Sequence, residues 1–321
     1  MSGKFKLFLI FFTLSLFFWW GTNVFAGKME NFFFWKEISK HPEVFTAQLV
    51  LENKFEELKP FLRKDADSLD FGAKSAISVL VKGDGSSKTL FEKEKNEKLP
   101  IASLTKLMTA LVVLNNYDSS ATIEISKDAA LQDDEYGQGY LKIGEKFSAK
   151  DLLYILLMES SNGAAVAFAD FLGELQFVSL MNKTAADLNL ENTFFVNPSG
   201  LDPDNLSDIT NYSTSEDLAK LGNYLLAAQP LVWEIAKNSE FNLYLPDGVF
   251  FKQLKNTNEL LKEFPQVGGK TGWTPEAQGC LLLIYKAPNE DGYLINVVLG
   301  SQDRFEDMKK LISWTKESYK W

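Results

Sequence analysis

Histidine is almost missing from this chain: the single one, His41, sits next to Pro42 and ahead of the part that reads as a folded domain. Ser-His and Cys-His catalysis need an imidazole beside the nucleophile, so any nucleophilic chemistry here takes its base from another side chain. Cysteine is equally scarce. Cys280 alone cannot form an intramolecular disulfide, and it leaves the redox compartment open. It opens an apolar run and reads as core packing rather than as a thiol nucleophile. Arginine is reduced to Arg63 and Arg304, and 33 basic residues face 43 acidic ones for a formal charge of -10. That balance lacks the basic footprint of a nucleic-acid binder. An anionic ligand has to be met by a local cluster of cations.

What is present begins with a targeting segment. Lys4 and Lys6 precede the apolar run Leu7–Trp20, and Val24 and Ala26 have the small-residue spacing of a signal-peptidase site. Residues 1–26 are therefore expected to be a signal peptide or a retained N-terminal membrane anchor. Both readings stay open, because the run approaches bilayer-spanning length and Trp19 and Trp20 suit an interface. The remainder is expected to be extracytoplasmic, secreted or held at the cytoplasmic membrane by this segment alone. Residues 27–70 mix aromatics with charge and are interrupted by Pro42 and Pro60, which reads as a juxtamembrane stalk. Residues 71–321 are expected to form the folded domain.

Within that domain, AISVLVKGDGSSKTLFEKE reads as two strands around a Gly-containing turn, and CLLLIYKA with YLINVVLG reads as a second hairpin. Between them lie helical patterns. One opens near Ser103, one runs through AKDLLYILLMESSNGAAVAFADFLG with a break at 160–163, and one covers LQFVSLMNKTAADLNL. Another starts where Ser213 and Glu216 have capping-box spacing, and a closing helix spans about 303–319. Strands at both ends with helices between predict an α+β fold: one antiparallel sheet built from both termini and packed against a helical region.

Three clusters could carry chemistry. Ser103 and Lys106 stand three residues apart, so on a helix their Cβ atoms lie about 5–6 Å apart on one face. A serine needs a base to become a nucleophile, and a lysine can serve only when neutral. At its ordinary pKa, roughly one lysine in two or three thousand is neutral at pH 7. Burial without a carboxylate partner, beside a second cation, would shift that balance, and Leu104, Leu107 and Met108 supply apolar flanks. Taken alone, the pair reads first as a capping serine with a snorkelling lysine, since the spacing is common. Ser160 and Asn162 fall at a helix break, where side chains can face a cleft, although Asn-Gly is also ordinary turn punctuation. Lys270-Thr271-Gly272 follows two glycines and leads into a strand, so its backbone could lie beside a ligand.

In this chain order, S-x-x-K, S-x-N and K-T-G form a specific constellation. The chain from about Ala73 to Trp314 resembles the serine D-Ala-D-Ala carboxypeptidases, the low-molecular-mass penicillin-binding proteins, whose fold is of the β-lactamase/transpeptidase type. The resemblance extends to the blocks NTFFVNPSGLD and GGKTGWTPEAQGCLL. It implies that Ser103 is the acylated nucleophile and Lys106 its base, with Ser160 and Asn162 relaying protons and holding the substrate amide. Lys270 and Thr271 would bind the terminal carboxylate of a peptidoglycan stem peptide ending in D-Ala-D-Ala. Gly272 completes the motif, and the N–H groups of Ser103 and Trp273 would form an oxyanion hole. Arg304 stands where such enzymes can carry a second cation, but a solvated helix-start arginine is an equal reading. The resemblance implies no metal and no organic cofactor, and β-lactam antibiotics as covalent ligands of the same serine.

The activity expected is removal of the terminal D-Ala through an acyl-enzyme on Ser103. The alternatives are a D,D-endopeptidase acting on cross-links with the same residues, a β-lactamase, and a non-catalytic peptidoglycan-binding protein. The segment after S-x-N lacks the E-x-x-L-N deacylation motif of class A β-lactamases, which weakens that reading.

Overall fold

A computed structural model describes residues 60–135, 139–203, 205, 209–245, 247–263, 268–288 and 292–321. The expected leader, residues 1–26, and most of the expected stalk lie outside the described residues. Leu62–Trp321 make up one compact unit.

Its centre is a five-stranded antiparallel sheet of β1 (Ser75–Val81), β2 (Ser87–Lys93), β3 (Gly268–Thr274), β4 (Gln278–Lys286) and β5 (Tyr293–Ser301). The order across the sheet is β3-β4-β5-β1-β2. Chain segments far apart in sequence thus meet at β5 and β1, where Val297 faces Ile77, and the expected two-hairpin sheet is present. β4 reads as a continuous apolar run because both of its faces are covered. Leu282 and Ile284 enter one buried cluster, while Leu281, Leu283 and Tyr285 enter a second on the opposite face. That alternation is the period-two geometry of a strand.

Helix α1 (Thr105–Asn116), α2 (Asn162–Leu172) and α3 (Ser215–Ala228) pack in the first cluster, and α4 (Arg304–Ser318) covers the second with Met308, Leu311 and Ile312. In α1, the nine residues from Thr105 to Val113 are all buried. A helix hydrophobic all round belongs in an interior, where each fully buried Leu or Met stabilises by about 1.5–3 kcal/mol. Lys106 in the same run is the exception that has to be explained. Among the described residues, no single helix is long and apolar enough to cross a membrane.

The helix Lys127–Glu135 and the hairpin of Glu240–Tyr244 with Phe250–Lys255 have no counterpart in the sequence reading, and other local details differ from it. The helix after residue 213 is capped by Thr214, whose Oγ1 accepts from Asp217 N at 3.0 Å; Ser213 instead pairs with Leu99 in a short ladder, so the cap falls one residue later than the Ser213/Glu216 spacing implied. The opening helix begins as a 3-10 turn, Ala102–Leu104, so that Ser103 sits in the turn and the α-helix starts at Thr105. The interrupted helix runs Ala149–Tyr154 as α-helix and Ile155–Glu159 as a π-turn, breaks at Ser160 and Ser161, and resumes at Asn162.

Candidate active site

Ser103 is presented by a strained turn. Ala102, just before it, has φ 46°, a region that costs an L-residue about 1–2 kcal/mol. Two glycines let backbone close around that turn. At Gly200 (φ 85°) an added Cβ would lie 2.0 Å from Ala102 O and 2.8 Å from Thr105 Oγ1, and at Gly272 it would lie 3.0 Å from Ser103 N. Any side chain at either position would push the nucleophile's turn away from the loop or from β3. The edge strand β3 therefore runs directly alongside Ser103.

Lys106 Nζ lies 2.8 Å from Ser103 Oγ, 2.8 Å from Asn162 Oδ1 and 2.7 Å from the carbonyl oxygen of Ser199. Two of these partners are pure acceptors. A neutral amine has two N–H bonds and one lone pair; with both N–H groups donated to Asn162 and Ser199, the lone pair is left for the hydroxyl hydrogen of Ser103. The side chain is fully buried, and among the described residues no carboxylate pairs with it. Burial first, and then the charge of Lys270, hold its pKa well below the ordinary lysine range. The Ser199 carbonyl is fixed by its own loop: Asn197 Oδ1 accepts from Gly200 N at 2.7 Å, Asn211 Oδ1 accepts from Val196 N at 2.7 Å, and Thr109 donates to Pro198 O at 2.6 Å.

Lys270 forms the second layer. Its ammonium donates to Ser160 Oγ at 2.7 Å and to Thr271 O at 2.9 Å, and burial followed by the neighbouring Arg304 charge brings its pKa down to about 7. Arg304, itself shifted down by burial, stands at the start of α4 with Asp303 as N-cap, and its buried Nε has no partner among the described residues. Ser160, with φ 62° and ψ 31°, is held in a left-handed conformation that directs its hydroxyl at Lys270, and Asn162 opens the first turn of α2 just beyond it. Ser103, Ser160, Asn162, Thr271, Gly272, Trp273 and Arg304 line one cleft of about 300 Å³, with Lys106 and Lys270 buried beneath its floor. A larger cavity of about 540 Å³ at the Gly268 end of β3, around Trp233 and Tyr293, holds none of these groups.

Comparison with known proteins bears on this arrangement. The family model described as D-alanyl-D-alanine carboxypeptidase matches residues 63–303. The chain belongs to the D-alanyl-D-alanine carboxypeptidase family. The D-alanyl-D-alanine carboxypeptidase DacF of Bacillus subtilis is 34% identical over 267 residues, covering 80% of this chain and 65% of that protein. A D-alanyl-D-alanine endopeptidase of Pseudomonas aeruginosa is 31% identical, covering 74% of this chain and 76% of its own length. Among solved structures, penicillin-binding protein D2 from Listeria monocytogenes in its cefotaxime-bound form aligns with TM-score 0.65 at 29% identity, over 78% of this chain and 99% of that one. The Streptomyces K15 DD-transpeptidase gives TM-score 0.68 at 28% identity, over 78% and 98%. The chain spans 65% of the length of DacF and 58% of DacC from Escherichia coli.

In this family member the structure brings together every site residue anticipated from the sequence, including Arg304. Trp273 follows the K-T-G run with its side chain 61% exposed at the cleft. Cys280 is instead fully buried, its thiol pushed up to about 12 by burial, which suits packing and not attack. Four contributors escaped the sequence reading. The Ser199 carbonyl is backbone, invisible to a side-chain motif. Thr257 Oγ1 meets the Thr271 hydroxyl at 2.6 Å, Asp202 accepts from Thr274 Oγ1 at 2.9 Å, and Glu159 lines the cleft beside Ser160. Ser199 and Asp202 both fall in the block NPSGLD, and Glu159 directly precedes the S-x-N motif.

Proposed function

We propose that the protein is an extracytoplasmic serine D-alanyl-D-alanine carboxypeptidase that removes the terminal D-Ala from peptidoglycan stem peptides and is acylated by β-lactams. One observation carries the reading: a buried amine 2.8 Å from Ser103 Oγ whose other two partners, Asn162 Oδ1 and Ser199 O, can take both N–H groups of its neutral form and leave its lone pair for the serine hydroxyl. As the Oγ attacks the penultimate D-Ala carbonyl carbon, its proton passes to Lys106 Nζ. The negative charge that develops on the carbonyl oxygen falls to the N–H groups of Ser103 and Trp273; removal of one such donor typically costs about 10²–10³ in rate. Collapse breaks the C–N bond, and the proton returns from Lys106, by way of Ser160, to the departing D-Ala amine. Water then hydrolyses the ester with Lys106 again as base. Lys270, Thr271 and Arg304 form the cationic end of the cleft suited to the terminal carboxylate. Arg304 enters with a buried N–H free of protein partners, which a carboxylate oxygen would satisfy.

The N-terminal run Leu7–Trp20 supports export across a membrane, with residues 1–26 as leader or anchor ahead of a stalk and the catalytic domain. A second reading, cleavage of cross-links, is favoured by the endopeptidase relatives, which share the chain over 74% of its length. Digestion of purified peptidoglycan by the protein, followed by mass analysis, tests both. Free D-Ala is the expected product; severed dimers without free D-Ala would replace the first reading by the second, and no release at all would reject both.

A further inference from the structure

Ser160 reaches Lys270 only while its backbone stays in the left-handed region, at φ 62°, which an L-residue does not adopt without support from its surroundings. Locally, the N–H groups of Ser160 and Ser161 both turn back to Ile155 O, the latter at 3.5 Å, and the Ser161 hydroxyl accepts from Ala164 N at 3.0 Å. Apart from the reactive lysines themselves, the two residues before the turn tie it to distant parts of the fold. Met158 O accepts from Thr257 N at 3.0 Å. Donors to the Glu159 carboxylate include Lys255 N at 3.2 Å on Oε1, with the Tyr140 hydroxyl at 2.5 Å and Lys252 Nζ at 3.0 Å on Oε2. Lys252 is itself held over the Tyr140 ring, 3.5 Å from its centroid. The carboxylate side chain is 13% exposed, and the residue lines the reactive cleft.

We infer that Glu159 is a positioning residue: its carboxylate clamps the π-turn to the hairpin strand Phe250–Lys255 and to Tyr140, and so fixes Ser160 Oγ against Lys270 and Asn162 against Lys106. The inference rests on the acyl-transfer reading of the site. Glu159 precedes Ser160 by one peptide bond, so a displacement of its backbone passes almost undiminished to the serine. A reacting group misplaced by about 1 Å loses about 10² in rate. Release of the clamp, with Met158 still bonded to Thr257, is expected to move the turn by less than that.

The experiment follows labelling of the full chain by a fluorescent penicillin over time, and reads two quantities separately. The final labelled fraction counts correctly folded sites, whereas the rate constant reports the geometry within each of them. Glu159→Ala is expected to reach the wild-type labelled fraction with a rate constant about 10-fold to 100-fold lower. Glu159→Gln, which keeps one carbonyl oxygen for Lys255 N and can turn its amide N–H toward the Tyr140 hydroxyl oxygen while giving up the bond to Lys252, is expected to react faster than Glu159→Ala but slower than wild type. A wild-type rate in Glu159→Ala would overturn the inference. So would a reduced labelled fraction at an unchanged rate constant, which describes a folding defect alone, or a Gln variant as slow as the Ala variant. If Glu159→Ala yields no soluble protein, Lys252→Met decides: a severalfold slower rate at full labelling supports the clamp, and an unchanged rate rejects it. Absence of labelling in the wild type would instead remove the acyl-transfer reading, a separate failure.

Discussion

Replacing Lys270 by methionine is expected to make the fold more stable at neutral pH while it impairs the site. Burial and Arg304 bring the Lys270 pKa from 10.5 to about 7. A lysine with a lowered folded pKa takes up protons on unfolding, so its contribution to stability is whole above the unfolded value near 10.5 and is lost as pH falls toward about 7. Over that window the loss amounts to about 4 kcal/mol, from 3.5 units at about 1.4 kcal/mol each less the half-protonation already reached at pH 7. Methionine, of similar length, does not titrate. It forfeits the bonds to Ser160 Oγ and Thr271 O, worth about 1 kcal/mol each, and a net gain of about 2 kcal/mol remains at pH 7. Loss of the Lys270 charge also relaxes Lys106, whose depression it shares in causing, and that term has the same sign. The assay is urea unfolding of wild type and Lys270→Met at several pH values between 7 and 10.5, where the stability difference should widen in favour of the variant as pH falls. Parallel stability curves, or a variant less stable at pH 7, would refute the claim that Lys270 is held against its preference for charge.

Two further predictions test the packing around the nucleophile. Gly272→Ala puts a Cβ 3.0 Å from Ser103 N and 3.1 Å from Ile101 O, so β3 and the serine turn must separate by a few tenths of an ångström; penicillin acylation should slow by about tenfold, with a stability loss of about 1–3 kcal/mol, and unchanged acylation would mean that the strand can yield freely. Cys280, buried with its thiol raised to about 12, should resist alkylating reagents at pH 8 in the native state and react fully in denaturant; rapid native modification would contradict its place in the core.

The reactive side chains were legible because their spacing carries geometry. Three residues on a helix put Ser103 and Lys106 on one face, and the remaining 2.8 Å contact follows from it. The sheet was legible from two apolar hairpins at opposite ends of the domain. What the sequence could not display is what converges from a distance: the Ser199 carbonyl reaches Lys106 across 93 positions, and Lys252 reaches Glu159 across another 93. Backbone carbonyls carry no residue signature, and a carboxylate beside Ser160 reads as solvated until its partners fold onto it. The capping spacing at Ser213 misled by one residue because Ser213 is drawn into a ladder with Leu99, leaving Thr214 to cap. Arg304 had two equal readings, a solvated helix start or a cleft cation, and the choice depended on how α4 docks beside β4, where an added Cβ at Gly279 would lie 3.1 Å from Arg304 Cβ.

The central claim is that Lys106 is uncharged at neutral pH and takes the proton of Ser103. The most direct test is the rate of penicillin acylation of Ser103 from pH 5 to 10.5, with Lys106→Ala measured beside the wild type. A lysine held well below its usual range predicts a rate that levels off well short of pH 10, and a variant slower by at least about 10². A rate that keeps climbing tenfold per pH unit toward 10, or a Lys106→Ala variant acylated as fast as wild type, would contradict it.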